Sequence, residues 1–361
     1  AVMFDYLHGG SEDELTLKWN REAFSKYEFV PRVLRDVSNI DLSTTIQGVT
    51  LKTPVMIAPT GMSCMFHHHG EIAVAKAAHK AGSAYTLSTV ATTSIEDVAL
   101  ASKGPKFFQI YAWKDKEIVL DFINRCKKTD YDGLMLAVDF PSLGKRERDL
   151  KNGHGQPSKL RKNTALAALK KPQWLFNFLT HPKWKMANLV GHLPHGADAL
   201  KSVNNVNAQF SAAVDWKEAR ELKKLWGGKF MLKGIQSVED ALLAVELGAS
   251  GIVISNHGGR QLDGAPAMLD ILPEVVSVVG TDIEVLIDGG IERGSDIIKA
   301  MALGASGCLI GKAYLFGLAA GGEAGVARTF EILEEEMIRV MQLIGCTSIN
   351  ELDSSYVKKR S

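Results

Sequence analysis

Gly251-Ile-Val-Ile-Ser-Asn-His-Gly-Gly-Arg-Gln-Leu-Asp263 decides the fold. Gly251 to Ser255 is a short apolar run rich in β-branched residues, the pattern of a strand buried on both faces. The run stops at a polar turn with two adjacent glycines, and that turn carries His257 and Arg260. A buried strand that delivers a base and a cation at its C-terminal end is what a parallel barrel presents on its functional face. A lone turn histidine is more often a hydrogen-bonded structural residue. The reading therefore depends on what the rest of the chain places opposite it.

Working outward, seven further apolar runs have the same character: 55–58, 84–88, 106–111, 133–138, 229–233, 284–287 and 307–310. Helical periodicity falls between most of them, over 71–81, 94–101, 115–127, 216–225, 237–246, 267–279 and 294–303, and a long helix is expected over 323–343. Eight strands alternating with helices predict an α/β fold, a TIM (β/α)8 barrel. Leu247-Gly-Ala-Ser-Gly251 and Leu303-Gly-Ala-Ser-Gly307 fit short helix-to-strand turns. Before the first strand, Ser11-Glu-Asp-Glu14 offers a cap and an acidic first turn for a helix running to about Phe24, and 28–53 reads as irregular with short strand-like pieces. Residues 1–361 are read as a single barrel domain.

Hydrophobic content of 46% and charged content of 23% are those of an ordinary globular protein, and a net charge of +1 gives no case for nucleic acid. Cys64, Cys126, Cys308 and Cys346 lie far apart with no CxxC pair, which points to a reduced, cytoplasmic setting. The sequence has no signal-peptide pattern and no apolar run of spanning length; its first residue is Ala1.

One connection breaks the rhythm. Residues 140–215 separate the fourth strand from its helix, and a connection of that length is usually functional. From Leu150 to Ala197 there is no Asp or Glu, while eight cations occur: Lys151, Lys159, Arg161, Lys162, Lys170, Lys171, Lys183 and Lys185. With +1 overall, the rest of the chain carries about −7. Trp174, Leu175, Phe176, Phe178, Leu179 and Trp184 are interleaved with these cations. Basic and aromatic together, and too short to span, predict an interfacial membrane segment over 150–197. The alternative is a solvated basic lid packed on the barrel.

Reading the strand ends in order tests the barrel, because such folds place their chemistry there. They give Pro59-Thr60-Gly61, then Ser88, then Gln109 and Tyr111, then Asp139 followed by Arg146, then Lys233, then Ser255 with His257 and Arg260, then Asp288-Gly289-Gly290, and finally Gly311-Lys312. Nearly every end carries a hydrogen-bonding or ionisable group.

With Phe4-Asp-Tyr-Leu-His-Gly-Gly-Ser-Glu-Asp-Glu14, Ala58-Pro-Thr-Gly61, Phe108-Gln-Ile-Tyr111, Val138-Asp139, Arg146-Glu-Arg-Asp149, Lys233-Gly234 and Asp288-Gly-Gly290, these residues resemble the FMN-dependent L-2-hydroxyacid dehydrogenase/oxidase family. That family includes glycolate oxidase, flavin L-lactate dehydrogenase and mandelate dehydrogenase. The resemblance spans nearly the whole chain, and its most specific part is the His257 motif. It implies oxidation of a 2-hydroxyacid by FMN, with His257 as base, Asp139 stabilising the imidazolium, and Arg260, Arg146 and Tyr6 holding the substrate carboxylate. Tyr111 would bond the hydroxyl or the nascent carbonyl oxygen. Lys233 would face the flavin N1 and C2 carbonyl. Pro59, Thr60, Gly61, Ser88, Gln109 and Ser255 would line the ring, and Asp288, Gly289, Gly290, Gly311 and Lys312 the ribityl phosphate end.

Three departures stand out. Where the family usually has Arg two residues after Asp-Gly-Gly, this chain has Glu292, then Arg293; after the eighth strand Lys312 replaces Arg; at the fourth strand Ala137 replaces a flavin-contacting Thr. They bear on how tightly FMN is held. Glu292 is expected to point outward, leaving Lys312 to carry the charge. Val90 stands where glycolate oxidase has a bulky Trp, leaving room for a larger substrate, and Gly61 resembles the mandelate-dehydrogenase type, which uses oxygen poorly. Together with the basic insert, these features resemble the membrane-associated bacterial dehydrogenases. They imply a quinone or other membrane acceptor, a peripheral position on the inner face of the membrane, and a homotetramer. An oxidase making hydrogen peroxide is the alternative enzyme. A non-catalytic, membrane-attached flavin-binding barrel would follow only if the phosphate-site changes abolished FMN binding. His67-His68-His69 has no acidic or thiol partner at ligand spacing, so no metal is expected from it. Gly317 to Gly325 lacks the strand–GxGxxG–helix context of a nucleotide loop and reads as the entry to the last helix.

Overall fold

The computed structural model describes residues 2–152, 185–192 and 209–360, together with residues 169, 172, 175, 176, 180 and 181. Most of the basic aromatic stretch lies outside the described residues, including Lys159, Arg161, Lys162, Lys170, Lys171, Trp174, Phe178, Leu179, Lys183 and Trp184.

The eight apolar runs form β1 (Val55–Ile57), β2 (Tyr85–Ser88), β3 (Lys106–Ile110), β4 (Gly133–Ala137), β5 (Lys229–Ile235), β6 (Gly251–Ile254), β7 (Glu284–Ile287) and β8 (Gly307–Ile310). Each pairs with its sequence neighbour in parallel, and β8 closes onto β1 to complete the barrel. Several strands end one residue earlier than the apolar pattern, so Ala58, Tyr111, Val138 and Ser255 leave the ladder and begin the functional loops. β5 instead runs on to Ile235 across a bulge between Lys233 and Ile235. The bulge breaks the alternation of side chains at the residue that carries Lys233.

The helices are α1 (Val2–His8), α2 (Leu15–Ala23), α3 (Gly70–Lys80), α4 (Ile95–Ala101), α5 (Lys116–Lys128), α6 (Glu147–Lys151), α7 (Trp216–Trp226), α8 (Val238–Leu247), α9 (Met268–Val279), α10 (Gly294–Ala302) and α11 (Lys312–Ile344). Asp115, Asp215, Ser94 and Ser237 cap α5, α7, α4 and α8 by accepting a backbone N–H from the first turn. α11 is interrupted by non-helical backbone at Gly321 and Gly322; the part after the break is the expected 323–343 helix, and a further helical stretch from Lys312 precedes it. Gly317 and Gly325 face each other across that break, where a Cβ on Gly317 would lie 2.5 Å from the Gly325 carbonyl oxygen. The glycines allow close packing at that break.

Two packed layers result. Inside the barrel, Met56, Phe107, Met135, Met231, Val253, Leu286 and Leu309 meet Ile46 and Leu51 from an antiparallel hairpin, Thr44–Ile46 with Val49–Leu51. The hairpin closes the N-terminal end: the Gln47 amide bonds the Ser250 carbonyl at 2.9 Å, and Glu284 accepts the Gln47 backbone N–H at 2.8 Å. The site therefore opens at the C-terminal end. Outside, the helices bury their apolar stripes against the strands, and a second antiparallel pair joins Tyr27–Phe29 to Val357–Lys359.

Candidate active site

The turn after β6 organises this end of the molecule. His257 has a φ of 58°, a left-handed conformation that a non-glycine residue adopts at a cost of order 1–3 kcal/mol. Two contacts offset it. The Ser255 hydroxyl accepts the His257 backbone N–H at 3.1 Å, and the His257 imidazole bonds the Asp139 carboxylate at 2.9 and 3.1 Å. Gly259 follows because α2 crosses directly over it: a Cβ there would lie 2.5 Å from the Leu17 nitrogen. Asp263 then accepts backbone N–H groups from Asp13, Leu15 and Thr16 at 3.1, 3.3 and 2.8 Å, anchoring the start of α2. Arg260 donates to the carbonyls of Tyr6 and Gly9 at 2.7 and 2.9 Å. One stretch thus supplies two functional side chains and also straps the Tyr6 segment across the barrel mouth.

Asp139 is buried beside β5. It fits because residue 234 is glycine, where a Cβ would lie 2.6 Å from the Asp139 Cβ. Burial alone would push the Asp139 carboxyl up. The His257 charge and hydrogen bond, followed by Lys233, outweigh burial and hold it below the usual aspartate value. An ionised Asp139 requires His257 to carry a proton on Nδ1 and leaves Nε2 for the cavity. The pair can therefore accept a proton from a bound hydroxyl and stabilise the imidazolium formed.

Arg260, Arg146, Tyr6 and Tyr111 line the same cavity, whose volume is about 1660 Å3. Burial, and then the neighbouring Arg146, pull the Arg260 guanidinium down to about 10, which still leaves it charged at neutral pH. The Arg146 Nε donates to the Arg260 carbonyl at 3.4 Å. Two guanidinium groups so close together repel each other, and a carboxylate between them would relieve that repulsion. Burial, followed by the Asp139 charge, raises the Tyr111 phenol, so it remains a hydrogen-bond donor. Its ring packs against Phe140 and Phe210, each 4.8 Å away between centroids. Val90, Leu143 and Met186 complete an apolar side of the cavity.

Lys233 is buried, with its ammonium 2.6 Å from both the Ser255 hydroxyl and an Asp288 oxygen. The other Asp288 oxygen, Oδ1, is buried with no partner among the described residues, as is Gln109 Nε2. Gln109 Oε1 accepts from the Ser88 hydroxyl at 3.1 Å. A buried acceptor and a buried donor left open at strand ends need a polar ligand, since unpaired they cost about 1–3 kcal/mol each. Pro59, Thr60 and Gly61 form part of the cavity wall. Ser88, Gln109, Ser255 and Asp139 do not line it and stand behind the residues that do.

At the far end, Gly289, Gly290, Gly311 and Lys312 line the cavity. Gly290 is required by its φ of 77° and by α2, for a Cβ there would meet the Asn20 carbonyl at 2.3 Å. Lys312 is half-buried and donates to the His8 carbonyl at 2.9 Å; burial and then Arg260 lower its ammonium to about 7. The Glu292 side chain is 63% exposed, with a carboxylate oxygen 3.6 Å from Arg21 Nε. Arg293 pairs with Glu336 at 2.7 Å.

Several contributors escape a sequence reading. Arg21 donates to the Gly290 carbonyl at 3.0 Å, and the Asn20 and Asn256 amides bond each other reciprocally at 2.8 and 3.0 Å. Buried Glu71 accepts the N–H groups of Ser63 and Thr92 at 3.0 and 2.8 Å, tying the Gly61 loop to the Val90 loop. Arg21 and Asn20 sit on the polar face of an ordinary helix, and Glu71 reads as an acid in a helix first turn. Only Asn256, inside the quoted motif, gave a signal.

The sequence matches the model of FMN-dependent dehydrogenases over residues 1–359. The chain belongs to the FMN-dependent dehydrogenase family. It is 42% identical over 355 residues to a Mycobacterium tuberculosis protein provisionally named an L-lactate dehydrogenase, covering 98% of this chain and 84% of that one. It is 41% identical to glycolate oxidase 3 of Arabidopsis thaliana, covering 99% and 91%. It superposes on a crystal structure of (S)-mandelate dehydrogenase, described as a monotopic membrane protein, with a TM-score of 0.95, 37% identity and coverage of 99% and 95%. The family fixes the cofactor as FMN and the activity as that of a 2-hydroxyacid oxidoreductase. The open Asp288 oxygen and the buried Lys233 ammonium, both on the cavity wall, fit such a cofactor by offering an acceptor and a fixed charge.

Proposed function

We propose that the chain oxidises an L-2-hydroxyacid larger than glycolate, lactate- or mandelate-like, and passes the electrons to a quinone or similar membrane acceptor. The observation that carries the substrate reading is the apolar side of the cavity. Phe140 and Phe210 pack on Tyr111, and Val90, Leu143 and Met186 line the same cavity, which leaves space for a substrate side chain. Arg260, Arg146 and Tyr6 hold the carboxylate, Tyr111 donates to the hydroxyl or nascent carbonyl oxygen, and His257 takes a proton from the substrate while Asp139 stabilises the imidazolium. FMN, when bound, accepts the two electrons. Lys233 would face its pyrimidine edge, Pro59 to Gly61 would line its ring with Gln109, Ser88 and Ser255 supporting that wall, Asp288 would meet its ribityl chain, and Gly289, Gly290, Gly311 and Lys312 would hold its phosphate. A partly buried Lys312 supplies charge without the bidentate grip of an arginine.

The acceptor reading rests on the basic aromatic segment 150–197, on Gly61, and on the monotopic (S)-mandelate dehydrogenase neighbour. Among the described residues no helix is long and apolar enough to cross a membrane, so attachment would be peripheral. The resemblance that suggests this position also suggests a homotetramer. The glycolate oxidase relatives favour a second reading, an oxidase reducing oxygen to hydrogen peroxide. The protein is to be reduced anaerobically with L-lactate, L-mandelate or glycolate, then mixed with a soluble quinone or with oxygen. Faster reduction by the larger acids and faster reoxidation by quinone support the proposal. Preference for glycolate with rapid peroxide formation would replace it by the oxidase.

A further inference from the structure

We propose that His67, His68, His69 and His181 form a binding site for a divalent transition-metal ion of the zinc class, between the first barrel loop and the insert. The triplet lies in the connection from β1 to α3, away from the hydroxyacid chemistry. Its three imidazoles place one ring nitrogen each within 4.8 Å of one another. Nitrogens sharing a tetrahedral ion at 2.0–2.1 Å stand roughly 3.3 Å apart, so modest side-chain rotation closes the set. A second observation points to a ligand: His68 Nδ1 is buried and has no partner among the described residues.

The fold brings a fourth imidazole from far along the chain. The His181 ring lies 4.1 Å from that of His68, and the His67 and His68 rings stack at 4.3 Å. His67 is seated against the break in α11, where a Cβ on Gly322 would lie 2.7 Å from its Cε1. The donor set is imidazole only, which suits zinc, copper or nickel and disfavours magnesium and calcium. Phe66, immediately before the triplet, stacks on Tyr6 at 6.2 Å between centroids. An ion here would therefore fasten the insert to the wall of the substrate site.

The test is zinc titration of the full-length, FMN-loaded protein, free of any polyhistidine tag, in competition with a chromophoric zinc chelator. The expected result is one Zn2+ per chain, with affinity reduced at least about tenfold in both His68→Gln and His181→Gln. Flavin reduction by substrate without zinc should be unchanged in both variants, which shows that they are folded. His181 lies exposed on the insert, so its variant remains informative should His68→Gln fail to fold. Absence of stoichiometric binding, or binding equally tight in His181→Gln and wild type, would overturn the proposal.

Discussion

His257 joins a strained backbone to a paired imidazole, and its partner Asp139 is buried with Lys233 as the other charge that favours its ionised form. Asp139→Asn would keep the shape but lose the negative charge that stabilises the imidazolium. Rapid-mixing measurements should show flavin reduction slowed roughly 10^2- to 10^4-fold with FMN still bound. A rate within a few-fold of wild type would remove Asp139 from the mechanism. Lys312 gives the pH prediction. Its ammonium is lowered to about 7, by burial first and then by Arg260. Above that pH the free site holds a neutral lysine, and an anionic phosphate beside it restores the charge. Binding then takes up a proton, so FMN affinity should fall as pH rises above 7 and approach tenfold weakening per unit. Reconstitution of apoprotein across pH 7–9 measures this, and Lys312→Met should flatten the curve. A wild-type affinity constant over that range would show that Lys312 does not meet the phosphate. His257, Arg260 and Asp139 were legible because they sit in or next to a specific motif. Glu71, Arg21 and Asn20 were not, since their partners lie on other elements and nothing local distinguishes them from solvated polar residues.

At the scale of elements, near-continuous apolar runs named all eight strands within a residue or two. The exceptions have local causes. β5 passes its expected end through a bulge, and an additional helical stretch from Lys312 precedes the break at Gly321 and Gly322, after which the expected helix follows. The role of Asp263 also appears only here, as the carboxylate that anchors the start of α2. A further test concerns the two loops tied by Glu71. Gly61 lies against Val90, and a Cβ on Gly61 would stand 2.6 Å from the Val90 Cγ2. Gly61→Ala should destabilise by about 1–3 kcal/mol through overpacking. Val90→Ala in the same molecule should recover part of that loss. A double-mutant cycle by thermal unfolding checks the coupling. Additive effects of the two substitutions would mean that the loops do not bear on each other.

For the whole molecule, charge is segregated: a net +1 chain holds eight cations and no acid between Leu150 and Ala197. Composition alone made this legible, whereas the path of the segment lies outside the described residues. The proposal predicts sedimentation with anionic vesicles and release as salt screens the attraction. Replacing 153–184 by a short polar linker should abolish sedimentation while leaving the protein yellow. Retained vesicle binding in that variant would locate the attachment elsewhere. The central claim concerns the barrel mouth, where strands, motif and cofactor family meet at His257. Its most direct measurement is anaerobic bleaching of the FMN absorbance by L-mandelate and L-lactate, in wild type and in His257→Gln. The account predicts rapid bleaching in wild type by at least one of these acids, none by the D-enantiomers, and retained but unreduced FMN in His257→Gln. Undiminished bleaching in His257→Gln would contradict it.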